Sequence, residues 1–94
     1  MLRRTVIIRN PAGLHMRAAA AFAKVAMQFH SAVTVRKQDR GVNGKSWLNL
    51  ITLAARPGTE LLLEVAGDDA EIAMPVLVEA LGSTSPDGLE TLLS

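Results

Sequence analysis

A histidine stands where the sequence predicts a loop running into a helix. His15 follows a turn-forming run at 10–13, Asn-Pro-Ala-Gly, and precedes an alanine-rich stretch of high helix propensity. The first turn of a helix gathers unpaired amides and the positive end of the helix dipole. These groups attract anions and disfavour the charged imidazolium, so the ring is expected to keep a lone pair that can attack phosphorus. The motif predicts a transient phosphohistidine.

The residues after this histidine have groups that suit a phosphoryl ligand. The amides of Met16, Arg17 and Ala18 open the predicted helix, and the Arg17 guanidinium can clamp phosphoryl oxygens in a bidentate fashion. We therefore interpret His15 and Arg17 as the chemical pair and the three amides as the phosphoryl-binding groups. In an isolated His-x-Arg the commoner arrangement is a capping histidine beside a solvated arginine, and the motif by itself leaves that alternative open.

Hydrophobic periodicity predicts the elements that position this loop. Residues 4–9 alternate weakly and favour a strand with Val6 and Ile8 facing inward. Residues 16–29 favour a helix with an apolar stripe at helical spacing. That stripe comprises Ala19, Phe22, Ala23, Ala26 and Phe29.

A hairpin and a short helix are predicted next. Residues 33–37 favour a second strand, residues 38–41 have the composition of a turn, and Val42 begins a third strand. Ser46 is placed to cap a helix over 47–55.

The last predicted elements are a strand and a helix. A turn at 56–58 ends the preceding helix, and the Leu/Val-rich run Glu60–Ala66 indicates a central, covered strand. Asp68 and Glu71 form a plausible capping box for a third helix, in which Pro75 predicts a kink or a delayed start. The expected buried stripe of this helix comprises Ile72, Val76, Leu77 and Leu81.

The order β-α-β-β-α-β-α has connections too short for parallel crossovers throughout. We expect an α+β fold, an open-faced sandwich whose four-stranded, mainly antiparallel sheet carries three helices on one face. The 94 residues, 49% of them hydrophobic, fit one domain, which we place at 1–82. Residues 83–94 read as a tail that begins with a linker-like run.

Composition excludes several classes of protein. The chain has no cysteine, which removes disulfides, thiolate nucleophiles and Cys-based zinc sites, and it has two histidines. We expect neither a metal nor a cofactor. The longest uncharged apolar run, 46–55, is about half the length that crosses a bilayer, so we expect a soluble, cytoplasmic protein.

Charge is divided unevenly along the chain. Residues 1–46 carry nine Lys/Arg against Asp39, or +8, whereas residues 47–94 carry Arg56 against eight Asp/Glu, or −7. This division favours an anionic ligand or an acidic protein partner, although an ordinary solvated surface would explain it equally well. Three aromatic residues and no base-stacking motif argue against nucleic acid.

The loop Gly13-Leu14-His15-Met16-Arg17, followed by two alanines, resembles the signature of HPr. HPr is the histidine-containing phosphocarrier protein of the phosphoenolpyruvate-dependent sugar phosphotransferase system. The resemblance extends through the Asn-Gly-Lys-Ser run at 43–46, the helix after it, the Pro-Gly at 57–58 and the strand at 60–67. It covers residues 1 to about 82, and the predicted order of elements agrees with that family's fold.

This resemblance implies a carrier rather than a stand-alone enzyme. Such a protein takes a phosphoryl group from phosphorylated enzyme I on Nδ1 of His15 and passes it to an EIIA-type acceptor protein. By position, Arg17 stabilises the phosphoryl group, and Ser46 is the site at which an HPr kinase/phosphorylase adds a regulatory phosphate in many bacteria. A serine at this place is also an ordinary helix cap, so the regulatory role stays open.

The resemblance also assigns a docking surface. Trp47, Leu48 and Ile51 correspond to the exposed apolar patch where partner proteins bind, with core packing as the alternative. A short helix cannot bury all of its apolar residues on one side, so part of this set is expected to be exposed, with Trp47 as the anchor. We expect a monomer that does not insert into membranes. His30, near the predicted end of the first helix, is expected to complement the helix dipole without a catalytic task.

Two residues depart from the family pattern. Ala18 stands where the family usually has proline, and Met16 where a small residue is more common. The departures suggest a divergent branch, and they keep open a regulatory interaction module controlled through Ser46, with little role in sugar transport. A small enzyme such as an acyl phosphatase ranks last, because no second base accompanies Arg17.

Overall fold

The computed structural model describes residues 1–82, and the predicted tail at 83–94 lies outside the described residues. The strands are β1 (Leu2–Ile7), β2 (Ala32–Lys37), β3 (Arg40–Asn43) and β4 (Glu60–Ala66), and the helices are α1 (Met16–Ala26), α2 (Trp47–Ile51) and α3 (Ala70–Gly82). The strands lie in the order β1-β4-β2-β3, and every neighbouring pair is antiparallel. The α+β fold and the order of its elements are confirmed.

Strand β4 lies between β1 and β2, and its apolar side chains build the centre of the core. Directly paired residues of antiparallel strands point to the same face of a sheet. The buried pairs on the helix-covered face are Val6 with Leu61, Val35 with Leu63, and Val33 with Val65. The bounds and the central position predicted for this strand are therefore confirmed.

The opposite face of the sheet carries an ion cluster around Glu64. This carboxylate accepts from Arg3 Nε at 2.9 Å and from Arg36 Nε at 2.8 Å. The hydrogen bonds from Arg3 and then Arg36 hold the pKa of Glu64 below its ordinary value. Glu64 is buried between the two arginines, which lie on the strands paired with β4 on either side. Only the three-dimensional register brings these charges together.

Strands β1 and β3 begin two residues earlier than predicted, and β2 begins one residue earlier. Strand β1 spans Leu2–Ile7 rather than 4–9, although Val6 and Ile8 are both buried as expected. Ile8 lies beyond the strand, and its amide binds the carbonyl of Thr59. Strand β3 begins at Arg40 rather than Val42, because the hairpin turn is only two residues long, with Gln38 at a φ of 55°.

Helix α1 buries Ala19, Phe22, Ala23 and Ala26 of the predicted stripe but ends at Ala26 instead of Phe29. Beyond it, the amides of Gln28 and Phe29 bind carbonyls three residues back, the tighter spacing that commonly ends a helix. Phe29 therefore lies outside the helix, half-buried against the core.

Helix α2 ends at Ile51, four residues before the predicted end. Its N-cap is Ser46, as predicted, since the Ser46 hydroxyl accepts from the amide of Asn49. After Ile51 the chain tightens into bonds three residues apart and then reverses at Ala54, which has a φ of 51°. The turn at 56–58 is thus not what stops the helix.

Helix α3 starts at Ala70, so the residue before it is Asp69 and the predicted cap at Asp68 is wrong. The predicted stripe is partly wrong as well, because Ile72 is 70% exposed and Val76 is 39% exposed. The helix runs through Pro75, which is exposed. Its buried residues are Ala70, Ala73, Met74, Leu77 and Leu81. No helix within residues 1–82 is long and apolar enough to cross a membrane.

Candidate functional site

The loop before α1 is held in place by its own backbone and by the segment after α2. Gly13 donates its amide to the carbonyl of Asn10 at 2.8 Å, and Leu14 donates to the carbonyl of Ala55 at 2.9 Å. Gly13 has a φ of 71°, and a Cβ there would lie 2.5 Å from the Ala55 oxygen. Glycine is therefore required at this position by both conformation and space.

His15 is the N-cap of α1. Its backbone is extended, with φ −80° and ψ 179°, and its carbonyl accepts the amide of Ala19, which closes the first turn. Its Nδ1 accepts the amide of Arg17 at 3.2 Å. Because Nδ1 accepts a hydrogen bond, its lone pair points at the start of the helix, and a neutral ring carries its proton on Nε2. The ring is half-buried.

Asn10 is a contact of the histidine that sequence reasoning treated only as part of a turn. Its side chain is buried, its Oδ1 accepts the amide of Ala12 at 3.1 Å, and its Nδ2 lies 3.5 Å from Nε2 of His15. No periodicity or composition signal points to this contact, because it depends on how the loop folds back. The Asn-x-x-Gly spacing before the histidine is the nearest signal, since it predicts a turn.

The groups predicted to bind a phosphoryl ligand lie together at the start of α1. Met16, Arg17 and Ala18 are its first three residues, and their amides have no carbonyl of their own helix to bind. The Arg17 side chain is exposed. The segments 8–18 and 46–58 contain Arg9, Arg17 and Arg56 but no Asp or Glu. The surroundings of the ring thus favour an anion.

The residues predicted to bind partners lie on α2, which packs against α1. Trp47 is 42% exposed and Leu48 is 60% exposed, whereas Ile51 is half-buried and Leu50 is fully buried. Ser46 is half-buried at the start of this helix. Part of the apolar set is therefore exposed. We call Trp47, Leu48 and Ile51 the α2 patch.

His30 does not lie at a helix end. It comes four residues after α1, and its backbone amide donates to the carboxylate of Asp69 at 2.8 Å. The expected interaction with the dipole of α1 is therefore replaced by a contact with the residue before α3. Among the described side chains, no group of three His, Asp or Glu is arranged to hold a metal ion.

Fold and site together define a class of small α+β proteins in which a half-buried histidine caps an exposed helix start. The model of the family described as "PTS HPr component phosphorylation site" matches residues 2–83. The chain belongs to this HPr family, the phosphocarriers of the phosphotransferase system, which are carriers rather than stand-alone catalysts.

Relatives and solved structures agree with this assignment. The phosphocarrier protein HPr of Neisseria meningitidis is 42% identical over 88 residues, covering 94% of this chain and 99% of that protein. HPr of Thermoanaerobacter tengcongensis has a TM-score of 0.84 at 37% identity, with 89% of this chain and 94% of that chain covered. Crh of Bacillus subtilis, a catabolite repression HPr, has a TM-score of 0.66 at 33% identity, with 89% and 100% covered.

Proposed function

We propose that the chain accepts a phosphoryl group from phosphorylated enzyme I on Nδ1 of His15 and passes it to an EIIA-type acceptor protein. The observation that carries this proposal is the hydrogen bond from the Arg17 amide to Nδ1 at 3.2 Å. It aims the lone pair of the ring at the start of α1, where helix amides and a guanidinium can hold phosphoryl oxygens. Family membership supports the two classes of partner.

The transfer step follows from this geometry. Nδ1 forms a bond to phosphorus as the bond between phosphorus and enzyme I breaks, and the bonding pair goes to the enzyme I group that carried the phosphoryl group. The ring of His15 then releases its Nε2 proton to solvent. The Arg17 amide loses Nδ1 as its acceptor and is positioned to donate to a phosphoryl oxygen, joined by the amides of Met16 and Ala18. Delivery to the acceptor is the reverse sequence.

The residues around His15 suit a site that holds and transfers a phosphoryl group better than a site that hydrolyses it. A hydrolase needs a group that takes a proton from water, and the segments 8–18 and 46–58 contain no carboxylate. The cationic side chains among them stabilise bound phosphate but do not activate water. The site therefore favours transfer of the phosphoryl group to a protein acceptor over its hydrolysis by water.

The α2 patch suits the docking of partner proteins. It combines an exposed tryptophan and leucine on a helix that packs against α1, the helix that His15 caps. Exposed aromatic residues are frequent anchors of protein interfaces. We propose that enzyme I and the acceptor use this patch in turn, that the carrier domain is residues 1–82, and that it works as a monomer.

Phosphorylation with purified components tests the proposal. Incubation with the same organism's enzyme I and phosphoenolpyruvate should add one phosphate that is acid-labile and base-stable. His15→Ala should remove it completely, whereas His30→Ala, the matched control, should leave its rate unchanged. A phosphorylated His15→Ala protein would refute the assignment, as would a wild-type protein that stays unmodified.

A second candidate is a regulatory role for Ser46. Its hydroxyl caps α2 directly before the exposed Trp47 and Leu48, so a phosphate there would add charge beside the α2 patch. The likeness to Crh, a catabolite repression HPr, favours this candidate. An HPr kinase/phosphorylase should then modify the wild type but not Ser46→Ala, and Asn49→Ala should still be modified. If His15→Ala also left every partner interaction intact, regulation would be the main function.

A further inference from the structure

The amide group of Asn10 has a fixed orientation beside the His15 ring. The Asn10 side chain is 6% exposed, and its Oδ1 accepts the amide of Ala12 at 3.1 Å. Rotating the side-chain amide by half a turn would place its NH₂ group against the Ala12 N–H, with two donors facing each other. Asn10 therefore presents its NH₂ group, and not its oxygen, to Nε2 of His15, 3.5 Å away.

In the unphosphorylated protein this contact is mismatched. Nδ1 accepts from the Arg17 amide at 3.2 Å, so a neutral ring carries its proton on Nε2. Nε2–H and the Asn10 NH₂ group are then both donors. Their separation of 3.5 Å lies at the outer limit of a hydrogen bond. The buried NH₂ group of Asn10 thus faces a ring nitrogen that carries a proton and cannot accept from it.

A phosphoryl group on Nδ1 reverses these roles. With phosphorus on Nδ1, the ring is neutral only after Nε2 has released its proton, and Nε2 then becomes an acceptor. It already faces the NH₂ group of Asn10. We propose that Asn10 is a positioning residue that donates from Nδ2 to Nε2 in the phosphorylated state and thereby lengthens the lifetime of the phosphoryl group. This inference rests on the proposed function, because it needs a phosphoryl group on Nδ1.

The link between Nε2 and lifetime is a leaving-group effect. In hydrolysis, water oxygen forms a bond to phosphorus and gives up a proton to solvent, the phosphorus–nitrogen bond breaks, and its electron pair goes to Nδ1. If Nε2 is protonated, the ring leaves as neutral imidazole; if it is not, the ring leaves as the much more basic imidazolate. A donor facing Nε2 disfavours the protonated, reactive form. Asn10 therefore stabilises the form that holds phosphate longer.

Other charges near the ring do not obscure this effect. The described segments that meet at the loop, 8–18 and 46–58, carry the guanidinium groups of Arg9, Arg17 and Arg56, which stay charged at every relevant pH. They contain no Asp, Glu or Lys that would titrate there, since Lys24 lies in the last turn of α1. Helix α3, which packs against α1 and β1, carries Glu71 and Glu79, and both carboxylates are the same in every protein compared. A difference in the pH profile of hydrolysis between the wild type and the Asn10 variants is therefore traced to the ring.

Hydrolysis of the purified phosphoprotein tests the inference. Loss of phosphate is followed by mass spectrometry as a function of pH for the wild type, Asn10→Asp and Asn10→Ser. Asn10→Asp keeps an oxygen for the Ala12 amide but sets an acceptor opposite Nε2, so hydrolysis near neutral pH should be about tenfold faster, with its acidic rise moved up by about one pH unit. Asn10→Ser removes the amide donor without adding charge, and we expect its hydrolysis to be about threefold faster than that of the wild type.

Asn43→Asp is the matched control. Asn43 also binds the amide two residues on, since its Oδ1 accepts from Lys45 at 2.9 Å, and the substitution adds the same charge. Its hydrolysis profile should follow the wild type. The inference is overturned if Asn10→Asp and Asn10→Ser both follow the wild type, or if only the aspartate changes the rate, which would indicate a charge effect.

An NMR measurement on the phosphorylated wild-type protein tests the inference without any substitution. The ¹⁵N signals of the phosphorylated wild-type ring should show Nε2 unprotonated near neutral pH and accepting from Asn10. A protonated Nε2 under these conditions would overturn the inference. Absence of any phosphate on His15 of the wild type would instead refute the proposed function, so the two failures are distinguishable.

Discussion

Helices α1 and α3 both begin after a residue that accepts hydrogen bonds, yet the two starts are used in opposite ways. His15 directs Nδ1 at an amide of its own helix, at Arg17. Asp69 directs its carboxylate at another part of the chain, accepting the amides of His30 at 2.8 Å and Ser31 at 3.0 Å. One start stays accessible on the surface, and the other ties the loop before β2 to α3.

The difference shows what separates a structural titratable group from a chemical one. The carboxylate of Asp69 also accepts the hydroxyl of Ser31, which is 1% exposed. Its oxygens are thus occupied by a distant, buried segment. The His15 ring is half-buried and makes two long contacts, at 3.2 and 3.5 Å, so its nitrogens can change partners. A group at a helix start is available for chemistry when its partners are weak and local.

The largest predicted effect concerns the glycine beside each helix start. A Cβ at Gly67 would lie 2.7 Å from Cα of Ser31, and one at Gly13 would lie 2.5 Å from the Ala55 oxygen, both at positive φ. Gly67→Ala and Gly13→Ala should each lower the free energy of unfolding by about 3 kcal/mol, from overpacking plus backbone strain. Denaturant unfolding measures this loss.

Gly58→Ala is the control for these two variants. Gly58 has a φ of 87°, but a Cβ added there would have no heavy atom within 4 Å, so the variant should lose only about 1 kcal/mol. Among the folded molecules, Gly13→Ala should also slow phosphorylation, because it shifts the loop that carries His15, whereas Gly67→Ala should not. Equal phosphorylation rates in both variants would contradict the separation of a chemical from a structural helix start.

The fold can be predicted well where one side of an element is clearly apolar. Glu60–Ala66 is apolar nearly throughout and central, and its pattern predicts its bounds correctly. Helix α3 is apolar on more than one side, so periodicity does not separate the exposed Ile72 and Val76 from the buried Ala73 and Met74. Helix ends escape prediction for a further reason. The short bonds after Ile51 and the reversal at Ala54 depend on the fold around them.

The candidate site also has features that the sequence predicts and features that it does not. A local motif predicts that His15 precedes a helix start, because loop, cap and amides are adjacent in sequence. The contacts from Asn10 to His15 and from Asp69 to Ser31 have no such signal. The first depends on how a loop folds back, and the second joins residues 38 positions apart. Sequence patterns therefore predict hydrogen bonds between neighbouring residues more reliably than hydrogen bonds that depend on the fold.

The next effect is on docking and compares exposed apolar residues of α2 and α3. Trp47 lies in the α2 patch and is 42% exposed, whereas Ile72, which is 70% exposed, lies on α3. Trp47→Ala should weaken binding to enzyme I by about tenfold or more, as expected for an interface anchor. Ile72→Ala should change the Kd by less than about twofold. Calorimetric titration measures both, and a larger loss for Ile72→Ala would place the docking surface on α3.

The smallest predicted effect is the dependence of stability on acid, and we expect it to come from the start of α3 and not from the start of α1. The Ser31 hydroxyl and then the His30 amide lower the pKa of Asp69 from 3.8 to about 2. A carboxyl whose pKa is lowered by folding stabilises the protein above its unfolded pKa, and this contribution is lost as the pH falls towards the folded value. The Tm difference between wild type and Asp69→Asn should therefore be constant near neutral pH and shrink between about pH 4 and pH 2.

Two controls sharpen this measurement. Asp68→Asn removes an exposed neighbouring carboxylate and should keep the acid dependence of the wild type. His15→Ala should keep it too, because the loop that carries His15 has no carboxylate between residues 8 and 18. If Asp69→Asn lost stability in acid as steeply as the wild type, the hydrogen bonds from Ser31 and His30 would not be what anchors this helix start. The contrast between the two starts would then rest on the accessibility of His15 alone.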